Sequence, residues 1–196
     1  MPDIGIDVIK RCKNGDRQAF NEIFTQYQTQ VVNMSYSLLS NREDALDAAQ
    51  EVFVRVYRGI GGFKEKSSFS TWLYRITTNV CSDFLRKRQR SINALSISVN
   101  ADEDDRDTDI PDNSPTPEEH AELNERQKAL YAALGELKEE YRIVITLFDI
   151  EGLSYEEISQ ITKAPIGTIK SRLNRARSAL KKILTENGNF LDNFSV

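Results

Sequence analysis

Several residue types that build enzyme and metal sites are scarce in this chain of 196 residues. It has one histidine, His120, and two cysteines, Cys12 and Cys81, whose separation matches no metal-ligand spacing. A glycine-rich phosphate loop is also missing. These absences disfavour a metal centre, a histidine-based catalytic triad and a nucleotide-binding loop. We therefore predict a protein that is not an enzyme and that uses no metal and no cofactor.

Long apolar runs are also missing from the sequence. No run reaches the ~18 residues that a membrane span requires. The first residues, MPDIGIDVIKRCK, lack the apolar stretch of a secretory signal. We expect a cytoplasmic protein with reduced thiols and no direct membrane insertion.

Negative charge is concentrated in one part of the chain. The segment from Ser91 to His120 holds nine of the 30 acidic residues and one of the 26 basic residues, so its net charge is −8. The whole chain has a net charge of −4, and the remainder therefore carries +4. Because the acid is localised, the overall charge is a poor guide to nucleic-acid binding.

The same segment divides the chain. On both sides of it, apolar residues recur at helical spacing, and the sustained alternation typical of strands is absent. The segment itself is rich in proline, aspartate and serine and poor in large apolar residues, which is typical of a linker. We predict an all-α protein of two small helical domains, residues 1–90 and 117–188, joined by an acidic flexible linker, residues 91–116.

Helix start signals support these boundaries. Asp16 and Asn41 precede apolar-periodic stretches as N-caps. Thr116 and Pro117, followed by acids, predict the first helix of the second domain. A further helix is expected over residues 139–150.

The last part of the chain has the pattern of a helix-turn-helix. Ser154 and Glu157 form a capping-box pattern for a short helix. Pro165 disfavours helix at Ala164, and a second helix is expected to open at Gly167 and Thr168. The second helix of such a motif can enter the DNA major groove.

That second helix has one apolar and one basic face. Between Lys163 and Leu184 the chain has seven lysines or arginines and no acid. The small polar and basic residues on the outward side predict contact with phosphates and base edges. The alternative is a solvated basic face, although such faces normally mix both signs. The predicted contact residues are Thr168, Lys170, Ser171, Arg172, Asn174, Arg175 and Ser178.

Three stretches together resemble a known family. GLSYEEISQITKAPIGTIKSRLNRAR resembles the C-terminal domain of sigma-70 family factors of the extracytoplasmic-function subgroup. REDALDAAQEVFVRVYR is similar to that family's helix for binding core RNA polymerase, and FSTWLYRITTNVCSDFLRKR is similar to its helix for the promoter −10 element. The resemblance covers nearly the whole chain, and it implies that residues 165–182 read the −35 element.

The resemblance also implies a polymerase-binding face and a −10 face. Asp44, Asp47 and Glu51 fall on one helical stripe, and an acidic stripe suits a basic partner. The family resemblance adds Gln50 to this surface and replaces the alternative of an ordinary solvated face. The implied −10 residues are Phe63, as a wall for a flipped-out base, Asn79, Arg86, Lys87 and Arg88.

Some of these −10 assignments keep an alternative. Asn79 can read a base edge or serve a structural hydrogen bond. Residues 86–90 contain four basic residues, more than are needed to complement the helix dipole, which indicates phosphate contacts.

The predicted function is that of a sigma factor, which binds bacterial core RNA polymerase and directs initiation at specific promoter DNA. Similar factors are commonly sequestered by an anti-sigma factor, so such a partner is also implied. One alternative is a helix-turn-helix regulator that is not a polymerase subunit. Another is a helical adaptor that binds only protein.

Overall fold

The computed structural model describes the backbone of residues 3–97 and 117–186 and the side chains of residues 3–90 and 126–186. Within these ranges no strand occurs, so the all-α prediction is confirmed. A short 3-10 turn, Ile60–Gly62, follows α3, and a π-helical turn, Thr146–Ile150, continues α6. The α-helices of the described residues are α1 (Ile6–Lys13), α2 (Arg17–Leu39), α3 (Arg42–Gly59), α4 (Phe69–Ile97), α5 (Pro117–Glu136), α6 (Glu139–Ile145), α7 (Tyr155–Thr162) and α8 (Ile166–Glu186).

The predicted helix starts correspond to observed caps. The Asp16 carboxylate accepts from the backbone N–H groups of Gln18 and Ala19. The Asn41 side chain accepts from the Asp44 N–H at 2.9 Å. Helix α5 begins at Pro117 as predicted, whereas the predicted Thr116 cap lies outside the described residues.

Two boundaries differ from the sequence expectation. Helix α4 continues past Arg90 to Ile97, into the predicted linker, because residues 91–97 contain neither proline nor glycine. The single helix expected over residues 139–150 changes to π geometry at Thr146. There the N–H of Glu151 bonds to the carbonyl of Thr146 five residues earlier, at 2.9 Å.

Helices α1–α4 form the N-terminal unit. Helix α2 packs against α1, α3 and α4 around an apolar core. Each fully buried aliphatic side chain there contributes about 1.5–3 kcal/mol relative to exposure. The innermost side chains are Ile23, Val31, Met34, Leu38, Val52, Val56, Leu73 and Val80.

Helices α5–α8 form the C-terminal unit, which has a smaller core. Helix α8 lies across α5, α6 and α7. The buried side chains are Leu134, Leu137, Val144, Ile145, Leu147, Ile158, Ile161, Ile169, Leu173 and Ala176. None of the helices in the described ranges is long and apolar enough to cross a membrane.

The two units pack against each other along a surface that we call the seam. Its centre is Arg142 on α6, which is 7% exposed. The guanidinium donates across the seam to the carbonyl of Leu38 at 2.6 Å, and within its own unit to the carbonyls of Gly135 and Leu137 at 2.6 and 3.0 Å. Burial lowers the pKa of Arg142 below its ordinary value. Sequence patterns alone do not determine the relative placement of the two units.

Other seam contacts are polar as well. The Gln30 amide donates to the Glu151 carboxylate at 3.1 Å, and the Tyr74 hydroxyl donates to the same carboxylate. The Ser82 hydroxyl donates to Glu139 at 2.5 Å. Helices α2 and α4 therefore contact α5–α7 through hydrogen bonds as well as through apolar contacts, such as the rings of Tyr36 and Tyr131, whose centroids lie 4.4 Å apart.

Candidate nucleic-acid interface

The helix-turn-helix is built from α7, a short turn and α8. The predicted capping box is present, because the Ser154 hydroxyl accepts from the Glu157 N–H and the Glu157 carboxylate accepts from the Ser154 N–H. Helix α7 ends at Thr162, and the C-cap residue Lys163 has a left-handed backbone with φ 57°. The Ser159 hydroxyl donates to the Ala164 carbonyl at 2.8 Å and closes the turn. Helix α8 starts at Ile166, one residue earlier than expected.

The orientation of α8 matches the predicted two faces. Ile169, Leu173 and Ala176 are buried against the C-terminal unit. The opposite side is small, polar and basic, so a DNA backbone and base edges can approach it closely. Its exposed members are Lys170, Ser171, Asn174, Arg175 and Ser178.

Two predicted −35 residues are less accessible. Thr168 is half-buried in the first turn of α8, where its carbonyl accepts from the Ser171 hydroxyl at 2.9 Å. Arg172 is half-buried and forms an ion pair with Glu140 of α6 at 2.8 Å. In this arrangement part of the positive charge of α8 is therefore already neutralised.

Two basic side chains of α8 lie over aromatic rings, a detail that sequence spacing did not reveal. The Lys170 ammonium is 5.2 Å from the centroid of the Tyr155 ring. Arg177 lies over Phe148 at 5.3 Å, and its Nε donates to Asp149 at 3.1 Å. The bond to Asp149 raises the pKa of Arg177. Because the π-helical turn places Phe148 and Asp149, a simple helix over residues 139–150 does not predict these contacts.

The predicted −10 helix faces the helix-turn-helix across an open groove. Asn79 is exposed in this groove, and Arg75, Ser82 and Arg86 lie along the same side of α4. The opposite wall includes Glu139, Glu140, Lys163 and Arg172. Residues predicted for the −10 element and for the −35 element thus line one groove. Arg75 and Lys163 were not among the predicted residues, although they carry the positive charge such a site requires.

The remaining predicted −10 residues have contrasting surroundings. Lys87 and Arg88 are exposed on α4. Phe63 is only 5% exposed, and its ring packs at 5.2 Å from Trp72 and 5.8 Å from Phe69. In this arrangement its ring contributes to the core behind the loop, and its face is not open to a base.

The predicted polymerase-binding stripe lies on the outer side of α3. Asp47 and Gln50 are exposed, and Asp44 is half-buried at the start of the helix. Glu51 accepts from Arg55 at 2.8 Å, and Arg55 also reaches Asp83 of α4 at 3.2 Å. The stripe is therefore less acidic than its sequence suggested, because one of its carboxylates is paired.

The same helix exposes apolar side chains that the sequence analysis did not assign. Leu46, Val54 and Tyr57 are 41%, 40% and 53% exposed. Their spacing places them beside Gln50 on the outer side of α3. In the sequence, this surface is indicated by apolar residues at helical spacing that do not belong to the buried stripe of α3.

The described residues contain no cluster of histidine, cysteine or acidic side chains able to hold a metal ion. Both cysteines are free and buried, and burial raises the pKa of each thiol, that of Cys81 to about 12.

The arrangement defines a two-unit helical protein with a helix-turn-helix, and comparisons with known proteins identify its family. Residues 23–91 match the family model described as Sigma-70 region 2, and residues 120–180 match that described as Sigma-70, region 4.

Curated relatives extend the similarity over most of the chain. The chain is 35% identical over 175 residues to the ECF RNA polymerase sigma-E factor of Haemophilus influenzae, covering 89% of this chain and 92% of the relative. It is also 35% identical over 178 residues to the ECF RNA polymerase sigma factor SigW of Bacillus subtilis, covering 91% and 95%.

Solved structures agree in fold. The sigma factor RpoE, in complex with the anti-sigma factor NepR from Bartonella quintana, is 26% identical, with a TM-score of 0.66 over 85% of this chain and 96% of that one. CnrH, in complex with the cytosolic domain of CnrY, has the same TM-score of 0.66 at 21% identity. The match covers 92% of this chain and 96% of the CnrH chain.

The chain belongs to the extracytoplasmic-function subgroup of the sigma-70 family, the RNA polymerase subunits that direct promoter-specific initiation of transcription. Sigma factors are not enzymes as a family. This membership favours the sigma-factor prediction over the ordinary regulator and the protein-only adaptor.

Proposed function

We propose that this chain binds bacterial core RNA polymerase through residues 41–58, engages the −10 element through residues 59–90 and reads the −35 element through residues 165–182. In this proposal residues 1–90 and 117–188 are the region 2-like and region 4-like domains, and residues 91–116 connect them. The chain has no catalytic activity of its own and acts in the cytoplasm, where the polymerase works.

The observation that carries the proposal is the outward face of α8. Lys170, Asn174 and Arg175 project from the second helix of a helix-turn-helix, on the side opposite its buried residues. The positive charge of Lys170 and Arg175 suits phosphate, and arginine and asparagine suit guanine and adenine edges. Among the residues proposed for the −35 element, Arg175 has the strongest support, since it is exposed and central to this face. Thr168, Ser171, Arg172 and Ser178 complete the proposed contact.

The proposed −10 surface is the exposed side of α4 with the loop before it. Asn79 offers an amide for a base edge, while Arg86, Lys87 and Arg88 offer positive charge to the backbone. Phe63 supports the loop from inside, and its role as a wall for a flipped-out base requires its ring to become accessible when DNA binds.

The proposed polymerase surface combines charge and apolar area. Asp44, Asp47, Gln50 and Glu51 supply the polar part of the surface on α3. The exposed apolar side chains beside Gln50 supply area whose burial favours association. A mixed surface of this kind supports a specific contact better than acids alone, because surface ion pairs add little affinity.

Promoter binding by this sigma factor requires the two units to separate. The −10 and −35 elements lie about one and a half DNA turns apart, or roughly 50–60 Å. In the compact arrangement Asn79 and Arg172 line the same groove. We propose that the compact form is the resting state and that core polymerase stabilises an open form.

An anti-sigma factor is a further proposed partner. The structure similar to this chain at 26% identity is a sigma factor in complex with an anti-sigma factor. A protein that holds the compact arrangement would keep the α4 groove covered and block both elements at once.

The experiment that tests the proposal is transcription in vitro. The purified chain is mixed with sigma-free bacterial core polymerase and fragmented genomic DNA, and RNA 5′ ends are sequenced. The expected result is a set of discrete starts that share two upstream motifs. If neither specific starts nor binding to core polymerase is observed, the proposal is overturned and the regulator is favoured. The regulator predicts tight duplex binding by the free dimeric protein.

A matched pair of variants refines the assignment of α8. Arg175→Ala is expected to weaken promoter use by about 1–3 kcal/mol if the guanidinium contacts a base edge. Lys128→Ala removes the same charge from an exposed site on α5 and is expected to have little effect. Equal losses in both variants would indicate only a general charge effect.

A further inference from the structure

An N-terminal segment, residues 3–16, contacts the proposed −10 surface although it precedes the family match. The Sigma-70 region 2 match begins at residue 23. The segment consists of α1 with the residues on either side of it. It reaches both the first turn of α4 and the loop of residues 63–68 that leads into α4.

The first contact is made by Asp3. Its carboxylate accepts from the backbone N–H groups of Phe69 at 2.8 Å and Ser70 at 3.1 Å. The first N–H groups of a helix have no partner within the helix, and the helix dipole favours an acid beside them. Asp3 therefore caps α4 from a position 66 residues earlier in the chain, and it supplements the local cap in which the Ser68 hydroxyl accepts from the Thr71 N–H at 3.1 Å.

A buried tyrosine holds Asp3 in place. The Tyr27 hydroxyl donates to the Asp3 carboxylate at 2.8 Å and accepts from the Ile4 N–H at 3.2 Å. The Tyr27 ring is 2% exposed and packs on Phe69, with centroids 5.5 Å apart. Burial, and secondly the bond and the charge of Asp3, raise the pKa of Tyr27. The hydroxyl thus remains a donor, and the position of the cap is determined from inside the N-terminal unit.

The second contact is made by Lys13, at the end of α1. Its ammonium pairs with the Glu65 carboxylate at 2.8 Å and lies 5.6 Å from the centroid of the Phe63 ring. Glu65 has a left-handed backbone with φ 57°, which is unfavourable for a residue with a side chain. The ion pair therefore helps to retain a loop conformation that the backbone alone does not favour.

We propose that residues 3–16 are a positioning element for −10 recognition, in which Asp3 fixes the start of α4 and Lys13 fixes the preceding loop. This inference rests on the proposed function, because it assigns a purpose to the −10 surface. A loop and a helix start that are ordered before DNA arrives lose less conformational entropy on binding. The expected consequence is sharper discrimination between −10 sequences, with no change at the −35 element.

The test compares promoter discrimination in the full chain. A promoter obtained by start-site mapping is prepared with its own −10 element, with one substituted −10 base and with one substituted −35 base. Holoenzymes are assembled with wild type, Asp3→Ala, Asp3→Asn, Lys13→Ala and Arg17→Ala, where Arg17 is an exposed base at the start of α2. Transcript yields give one discrimination ratio for each element, and thermal unfolding of each free protein reports folding.

For Asp3→Ala, which removes the two bonds of the Asp3 carboxylate but leaves the Ser68 cap, we expect the −10 ratio to fall by up to about fivefold, corresponding to at most roughly 1 kcal/mol of capping free energy. Lys13→Ala is expected to lower the −10 ratio by a smaller factor. The −10 ratio of Asp3→Asn is expected to lie between those of Asp3→Ala and wild type, and that of Arg17→Ala to equal the wild-type ratio. The −35 ratio is expected to stay constant in all variants.

A purely structural role predicts a different result. Loss of folded protein lowers every yield in proportion and leaves both ratios unchanged, and that outcome would overturn the inference. An unchanged −10 ratio in Asp3→Ala at full yield would overturn it as well. If wild type itself produces no specific starts, the proposed function fails first, and this inference fails with it.

Discussion

The interior of the N-terminal unit and the seam between the units are both buried, yet they are built from different chemistry. The interior is filled by aliphatic and aromatic side chains such as Ile23, Met34 and Leu73. The seam combines buried hydrogen bonds of Arg142 and Glu151 with apolar packing such as the Tyr36–Tyr131 ring pair. Apolar burial is lost in full when a core opens, whereas water replaces most of a polar contact when a seam opens. Because the seam contains more exchangeable polar contacts than the interior, we expect the units to separate more readily than the interior opens.

The largest expected effect is in the interior. Leu73→Ala leaves a cavity beside α2 and α4, because Leu73 is fully buried, and it should reduce the free energy of unfolding by about 3 kcal/mol. Urea unfolding followed by circular dichroism measures the change. A loss well below 1 kcal/mol would contradict the comparison, because it would mean that the interior is no tighter than the seam.

Arg142 is the seam residue whose removal should matter most. Arg142→Met keeps the length of the side chain but leaves the carbonyls of Leu38, Gly135 and Leu137 without their donor. Hydrogen bonds from a charged donor contribute about 1.5–3 kcal/mol each, but burying the arginine offsets part of that gain. We therefore expect Arg142→Met to lower the free energy of unfolding by about 2 kcal/mol.

A second measurement separates the two roles of Arg142. Small-angle scattering of folded Arg142→Met should show a larger radius of gyration than wild type, while Leu73→Ala should unfold without first expanding. If Arg142→Met stays as compact as wild type, the arginine serves only the α5–α6 connection within the C-terminal unit.

Glu151 should make the seam depend on pH. Burial raises the pKa of this carboxyl, although the hydrogen bonds from Gln30 and Tyr74 oppose the shift. Because the closed-state pKa lies above the open-state value, the closed form is favoured at low pH. That preference is lost as pH rises from the ordinary carboxyl range through the raised pKa. Burial also raises the pKa of Tyr74, so the tyrosine stays neutral in this range.

A pair of fluorophores placed on α2 and α7 reports this transition as a change in energy transfer with pH. Glu151→Gln keeps an oxygen that accepts from Tyr74 and cannot ionise, so its energy transfer should be flat over the same pH range. A profile identical to that of wild type would assign the pH dependence to another group.

The smallest effect is expected from the half-exposed pair of Arg172 and Glu140. Glu140→Gln removes a surface ion pair and should change the free energy of unfolding by less than about 1 kcal/mol. The same substitution releases Arg172, so binding of a −35 duplex by the free protein should increase and become more sensitive to salt. Weaker duplex binding would mean that Glu140 orients Arg172 for DNA instead of withholding it.

Local patterns in the sequence determined the helices and the two faces of α8. Asp16, Asn41 and Ser154 cap their helices as predicted, because capping depends on residues within one turn. The inward row of Ile169, Leu173 and Ala176 follows from helical periodicity, which requires no knowledge of the partner surface. The family, and with it the function, was also readable from short motifs in the right order.

Only the tertiary structure decided the contacts between distant parts of the chain. Periodicity does not show that Arg142 reaches Leu38, that Asp3 caps α4 or that Arg172 is paired with Glu140. Each of these contacts joins polar groups on different helices, and a polar residue on a helix surface looks the same in sequence whether water or another helix satisfies it. The burial of Phe63 has the same origin, since an aromatic residue in a loop becomes core only when other helices supply the walls.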